Sequence, residues 1–232
     1  MNLLGKTVVV IGGSSGIGLA TAQMALAEGA SVVITGRSEE RLASARASVK
    51  GALKAVALDS TDESGTQALF ESLDRVDHIF VSAATVGGSP RLDATSEVMR
   101  PWLDSRVWGS VYAAKYGVPK MPGEGSVTFC SGVSAIRPRS GASIGSASCA
   151  AVESLSRSLA LEFAPIRFNT VIPGFIETPL TKDYPGKEAF SRRVPARRVG
   201  NPEDIGDAVL FLMKNSYVTG TTLLVDGGFS LM

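Results

Sequence analysis

The sequence has one histidine and two cysteines in 232 residues. A lone His78 excludes histidine-clustered metal centres, and most histidine-based triads unless it serves itself. Cys130 and Cys149 cannot build a disulfide framework or a four-cysteine metal site, so no metal is expected. No apolar run reaches the ~18 residues of a membrane span. Charge of one sign is also missing: 23 basic against 22 acidic residues leave +1. That argues against a polybasic nucleic-acid binder and against an acidic tail. The stretch from Met1 to Lys6 runs straight into a strand-like segment, without a charged leader or cleavage site. The expectation is a reduced cytoplasmic protein with no membrane or nucleic-acid partner. Glycine is what the chain has in excess: 25 of 232, about 11% where roughly 7% is typical. With no G-X-Y period, collagen is excluded. Hydrophobic residues at 44% and charged residues at 19% permit a sizeable core.

Short β-branched runs alternate with helical patterns. Strands are predicted at Thr7–Ile11, Ser31–Thr35, Ala55–Leu58, His78–Ser82, Ser126–Cys130, Arg167–Ile172 and Thr222–Val225. Helices are predicted at Gly16–Glu28, Glu39–Val49, Asp62–Leu73, Ser96–Tyr116, Ala142–Phe163 and Pro202–Met213. Ser38, the Ser60-Thr61-Asp62-Glu63 box and Asn201-Pro202-Glu203-Asp204 read as helix starts. All-apolar strands such as Val8-Val9-Val10-Ile11 suit a parallel sheet covered on both faces. The fold class is α/β: a single doubly wound Rossmann-type domain over 1–232, with a seven-stranded, mainly parallel sheet and helices on both faces. The charged stretch at about 179–196 reads as a substrate lid.

Gly12-Gly13-Ser14-Ser15-Gly16-Ile17-Gly18 follows the first strand and opens the first helix. Glycines there allow a tight turn and let the backbone approach a pyrophosphate, which would sit on free N–H groups at the helix start. The second strand ends in Thr35-Gly36-Arg37-Ser38. The acid that would hold a ribose 2′-hydroxyl is absent, and Arg37 suits a 2′-phosphate, so NADP(H) is expected over NAD(H). Gly36 is read as clearing the ribose corner, and Gly174 as a close approach to the dinucleotide.

With Leu58-Asp59-Ser60-Thr61-Asp62, the Asn169 to Pro179 segment, Gly200-Asn201-Pro202 and Asp226-Gly227-Gly228, the whole chain resembles the short-chain dehydrogenase/reductase family. The resemblance implies cofactor contacts from Gly12, Ser14, Ser15, Gly16, Ile17, Gly18, Arg37, Ser38, Asp59, Ser60, Ser82, Ala83, Ala84, Pro173, Gly174, Ile176 and Thr178. It also implies a homo-oligomer, a tetramer or dimer, acting on a small molecule.

At the catalytic end the family pattern fails. Ala150-Ala151-Val152-Glu153-Ser154-Leu155 resembles the run that follows the family's catalytic Lys. In that register the Tyr position holds Gly145, the Lys position Cys149, the Ser position Gly132 and the helix Asn position Arg106. A one-residue slip gives Ile144, Ser148 and Ser131. Tyr116 and Lys120 match the Tyr–Lys spacing, but Pro119 would break the helix that must hold both. The remaining catalytic candidates are Arg106 for an oxyanion, Ser131 and Ser134 for a carbonyl, and Tyr184 as a phenol carried by the lid. His78 and Cys149 read as structural. The expected function is an NADP(H)-dependent oxidoreductase on a C=O, C=N or activated C=C group, with non-standard proton delivery. A catalytically silent NADP(H) sensor or partner subunit, and a non-redox cyclase or isomerase, stay open as alternatives.

Overall fold

The computed structural model describes residues 2–85 and 89–232. Seven strands form one sheet: β1 (Thr7–Ile11), β2 (Ser31–Gly36), β3 (Leu53–Ala57), β4 (His78–Val81), β5 (Ser126–Cys130), β6 (Arg167–Pro173) and β7 (Thr222–Val225). Their order is β3-β2-β1-β4-β5-β6-β7. Every pairing is parallel, so the sheet is wholly parallel rather than mainly so. The helices are α1 (Gly16–Ala27), α2 (Glu39–Ala47), α3 (Glu63–Glu71), α4 (Ser96–Leu103), α5 (Gly109–Gly117), α6 (Ser143–Glu162), α7 (Lys187–Arg193) and α8 (Pro202–Lys214).

The strand period divides the core into two layers. Val8 and Val10 of β1 pack with Ala22, Ala25, Ile205 and Val209 of α1 and α8. Val9 and Ile11 point the other way, toward Leu69, Phe70, Ala113 and Val152 of α3, α5 and α6. Both faces are therefore dry, which is why β1 carries no alternation of polar residues. α1 and α8 cross closely at Gly206, where a Cβ would lie 2.5 Å from the Met24 sulfur.

The strand order reverses between β1 and β4. In open parallel sheets, the crevice at the carboxyl ends beside such a switch point is where ligands bind. The loops after β1, β4 and β5 all open there.

Three local features differ from expectation. The long helix over 96–116 is two helices joined by a π-helical turn at Asp104–Trp108, with Pro101 inside α4. Pro101 has no N–H to donate, and such turns accommodate an inserted residue. The cap of α3 is Asp62, which accepts from the Gly65 N–H at 3.0 Å, and the Ser60-led box does not form. The stretch read as a lid contains α7. The Asn201–Asp204 box does form, with the Asn201 N–H donating to Asp204 at 2.7 Å.

The opposite, amino-terminal edge of the sheet carries buried polar groups. His78 Nδ1 lies 2.8 Å from Ser126 Oγ. Burial lowers its pKa to about 4; Asp77 opposes this, and Arg167 and Lys6 add to it. Burial alone would raise the Asp77 carboxyl. The Arg75 side chain, the Thr7 N–H and Lys6 outweigh that and hold it below the usual range. Between about pH 6.5 and 4 the unfolded chain therefore binds a proton at His78 that the folded chain refuses, so stability falls as pH falls. The expected loss across that window is about 3 kcal/mol. Asp77 adds to the loss only below about pH 4, where its unfolded form protonates. Denaturant melts of wild type and His78→Asn over pH 4–7 check this. The variant should lose most of the slope between pH 6.5 and 4, and an unchanged slope would refute the assignment.

Candidate active site

Four glycines shape the loop after β1. Gly12 has φ +89°, and a Cβ there would lie 2.6 Å from the Ala83 nitrogen. At Gly18 a Cβ would lie 2.3 Å from the Gly12 carbonyl oxygen, so the turn and the helix touch backbone to backbone. Gly13 abuts Ile34, and Gly16 at φ +54° faces Thr178. The Ser82 hydroxyl donates to the Ile11 and Gly12 carbonyls at 3.3 and 3.0 Å, tying the β4 exit to this turn. Ser15 precedes α1 in an extended conformation and makes no side-chain cap, and the first turn of α1 holds no acid. The first N–H groups of α1, with Ile17 among its opening residues, are left without an internal anion, as a bound pyrophosphate requires. The loop fits a dinucleotide.

At the β2 exit, Arg37 is exposed and lines a groove of about 630 Å³ with Lys54, Leu58, Asp59 and Asp62. Gly36 has a different purpose from the one expected: a Cβ there would lie 2.7 Å from Ser14 Oγ. Ser38 caps α2, its hydroxyl accepting from the Arg41 N–H at 3.2 Å. The Asp59 carboxylate accepts from the Thr61 N–H at 3.0 Å and from its hydroxyl at 2.8 Å, which fixes it at the groove rim. Ser60 is turned inward against Gly109. Beyond β6, a Cβ on Gly174 would lie 2.6 Å from the Asp226 Cα, so the chain passes Asp226 closely there. Buried Ile176 pairs with Gly200 in an isolated bridge. Thr181 accepts from the Thr178 N–H at 2.9 Å and donates to the Ile176 carbonyl at 2.5 Å. Pro173 ends β6, and Ala83 and Ala84 follow β4, all at the crevice.

Deeper in the crevice the catalytic candidates separate. Ser131 is buried, and its hydroxyl faces Glu153 Oε1 at 2.6 Å and the Cys149 carbonyl at 3.1 Å. Its proton is spent inside the protein, which removes it as a carbonyl donor in this arrangement. Ser134 lies 3.7 Å from the Cys149 sulfur. A Cβ on Gly132 would come 3.2 Å from that same sulfur. Gly145 would place a Cβ 3.5 Å from Ser89 Oγ and 3.7 Å from Trp102. Gly132 thus abuts Cys149, and Gly145 abuts Ser89 and Trp102; none of Gly132, Gly145 and Cys149 carries a phenol or an ammonium. Arg106 sits in the π-helical turn, 8% exposed, and its Nη1 donates to the Cys130 and Ser131 carbonyls at 2.5 and 3.1 Å. Burial raises the Cys130 thiol to about 11, with the Arg106 charge opposing, so it carries no thiolate near neutrality.

Tyr184 lies elsewhere, 49% exposed and packed against Phe175 with ring centroids 5.1 Å apart and planes tilted by 59°. Phe190 of α7 meets both Phe175 and Phe229, joining the lid to the last turn of the chain. Tyr116, half of the rejected Tyr–Lys pair, donates to Glu63 at 2.8 Å, while Lys120 lies in a separate turn after α5.

Glu153 and the aromatic lid contacts were not anticipated. One signal for Glu153 was present: Gly145, Cys149 and Glu153 recur every four residues on one helix face. No groups of three or more metal-binding side chains occur among the described residues. No helix among the described residues is long and apolar enough to cross a membrane.

Residues 11–230 match the family model described as enoyl-(acyl carrier protein) reductase. The chain is 34% identical over 235 residues to the 3-oxoacyl-[acyl-carrier-protein] reductase of Bos taurus, covering 97% of this chain and 98% of the relative. It is 34% identical over 248 residues to the NADP-dependent (R)-specific alcohol dehydrogenase of Lentilactobacillus kefiri, covering 98% of each. Among solved structures, the MalC reductase/Diels-Alderase of Malbranchea aurantiaca superimposes with a TM-score of 0.93 at 30% identity, covering 99% of this chain and 97% of that one.

Proposed function

The chain belongs to the short-chain dehydrogenase/reductase family of oxidoreductases, and from that premise we propose that it is an NADPH-dependent reductase with non-standard proton delivery. Among C=O, C=N and activated C=C groups on a small molecule, a protonated C=N bond suits it best. The observation that carries this reading is the residue types at the positions where the resemblance places Ser, Tyr and Lys: Gly132, Gly145 and Cys149 offer no phenol and no ammonium. A ketone turned into an alkoxide needs a positioned acid, worth about 10²–10⁴ in rate. An iminium carbon that accepts hydride becomes a neutral amine, and no proton is required of the protein.

Bound NADPH supplies the hydride. The uncapped start of α1 holds the pyrophosphate, Arg37 the 2′-phosphate and Asp59 the adenine side. The relative from Lentilactobacillus kefiri is named as NADP-dependent, which supports the same preference here. Residues 179–196, with α7 and Tyr184, act as the lid of a single domain, and the protein works as a homo-oligomer. A second reading is a cyclase, favoured by the similar structure titled a reductase/Diels-Alderase.

Fluorescence titration should show NADPH binding more tightly than NADH. In single turnover, bound NADPH should then be oxidised faster by a cyclic iminium than by the matching ketone. If neither nucleotide binds, the reading fails. Binding without oxidation by ketone, iminium or enone would favour the sensor or cyclase alternatives.

A further inference from the structure

Arg106 is a buried cation whose carboxylate-binding edge has no acceptor among the described residues. A guanidinium offers five N–H groups. The Nη1 pair is taken by the Cys130 and Ser131 carbonyls. Nε is buried without a partner, and among the described residues the hydrogen bonds of this side chain run from Nη1 alone. Nε and Nη2 together form the side-on fork that grips a carboxylate. Arg75 uses that edge elsewhere in this chain, both atoms donating to Asp77 at 3.1 and 2.7 Å.

None of the ion pairs among the described residues includes Arg106. Glu153, held by Ser131, makes no ion pair with it either. Arg167, the other buried arginine, behaves differently. It gives Nη1 and Nη2 to three carbonyls, those of Leu212, Val218 and Met213, so both of its terminal nitrogens are used. A buried charge without a counter-ion is costly, and an anion arriving with a ligand removes that cost. Arg106 also occupies a π-helical turn, a feature that recurs at functional sites. It grips the carbonyl of Ser131, the residue next to Gly132.

We propose that Arg106 is an anion receptor in this site and that the substrate carries a carboxylate beside its reducible bond. This rests on the reductase reading above and names its substrate class: an unsaturated acid, best fitted as an imino acid. Its carboxylate would neutralise Arg106 while its iminium carbon accepts hydride, so both charges of a zwitterion find use.

The test uses a planar, unreactive pair, pyrrole-2-carboxylate and pyrrole-2-carboxamide, titrated calorimetrically against the protein with and without NADPH. The carboxylate should bind at least tenfold tighter than the amide, and Arg106→Met should abolish the difference while NADPH affinity stays. Equal binding of the two probes, no binding of either, or a preference that survives Arg106→Met would overturn the proposal. If the methionine variant does not fold, Arg106→Lys takes its place. A point charge cannot fork, so carboxylate affinity should drop at least threefold with amide affinity constant, and an unchanged carboxylate affinity would overturn the idea. Failure of NADPH to bind is read in its own titration and counts against the reductase reading instead.

Discussion

Replacing Gly132 by Ser, Gly145 by Tyr and Cys149 by Lys together is expected to create a reductase of simple ketones, with turnover raised about 10²–10⁴-fold over wild type. The size is that of one positioned proton donor. The backbone admits a side chain at both glycines. Gly145 lies in α6 with ordinary helical backbone, and the nearest atom to its added Cβ is 3.5 Å away. Gly132 is extended, at φ −168°, which any residue adopts. Its Cβ would meet only the Cys149 sulfur, at 3.2 Å, and the triple change removes that sulfur. Residues 145 and 149 share one face of α6, so the new ammonium stands beside the new phenol and lowers its pKa. Arg106 adds a second positive charge nearby. Gly145→Tyr alone should gain little, because its phenol would lack the neighbouring ammonium. Stopped-flow oxidation of bound NADPH by a ketone panel reads the result. A folded triple variant that binds NADPH normally and shows no gain would refute the register that places these three residues at the family's Ser, Tyr and Lys positions.

The second large effect concerns Arg37. Changing it to Glu should weaken NADPH binding by about 10²–10³-fold, from the loss of charge-assisted hydrogen bonds and a new repulsion with the 2′-phosphate. NADH should change by less than about threefold, because the introduced acid can accept from the ribose hydroxyls. Lys54 shares the groove but lies on β3 toward its start, away from the β2 exit, so it should not rescue the phosphate contact. Paired titrations of wild type and variant with both nucleotides decide the matter. Equal losses for NADPH and NADH would mean that Arg37 supports the loop rather than the phosphate.

The chain's periodicities were sufficient to place the sheet. Val8-Val9-Val10-Ile11 and Ser31-Val32-Val33-Ile34 announce strands buried on both faces, and burial on both faces implies parallel pairing under helices. The glycine loop was equally legible, because a φ of +89° at Gly12 and a backbone contact at Gly18 leave no choice of residue. Local rules misled where the partner lies far along the chain. Gly36 was read as making room for a ligand, yet it makes room for Ser14. Asp62, not Ser60, caps α3, since Ser60 is drawn inward to pack on Gly109. The helix within the lid escaped notice because α7 is short and begins after a left-handed glycine, Gly186.

The sequence by itself determined the fold class and the cofactor loop, because both follow from residue type and near spacing. Only the tertiary structure decided what the surviving polar groups do. It turned the Ser131 hydroxyl inward onto Glu153, packed Tyr184 against Phe175, and left the Arg106 Nε without an acceptor among the described residues. Side-chain direction and hydrogen-bond partnership depend on elements brought together from distant parts of the chain, and no local pattern encodes them.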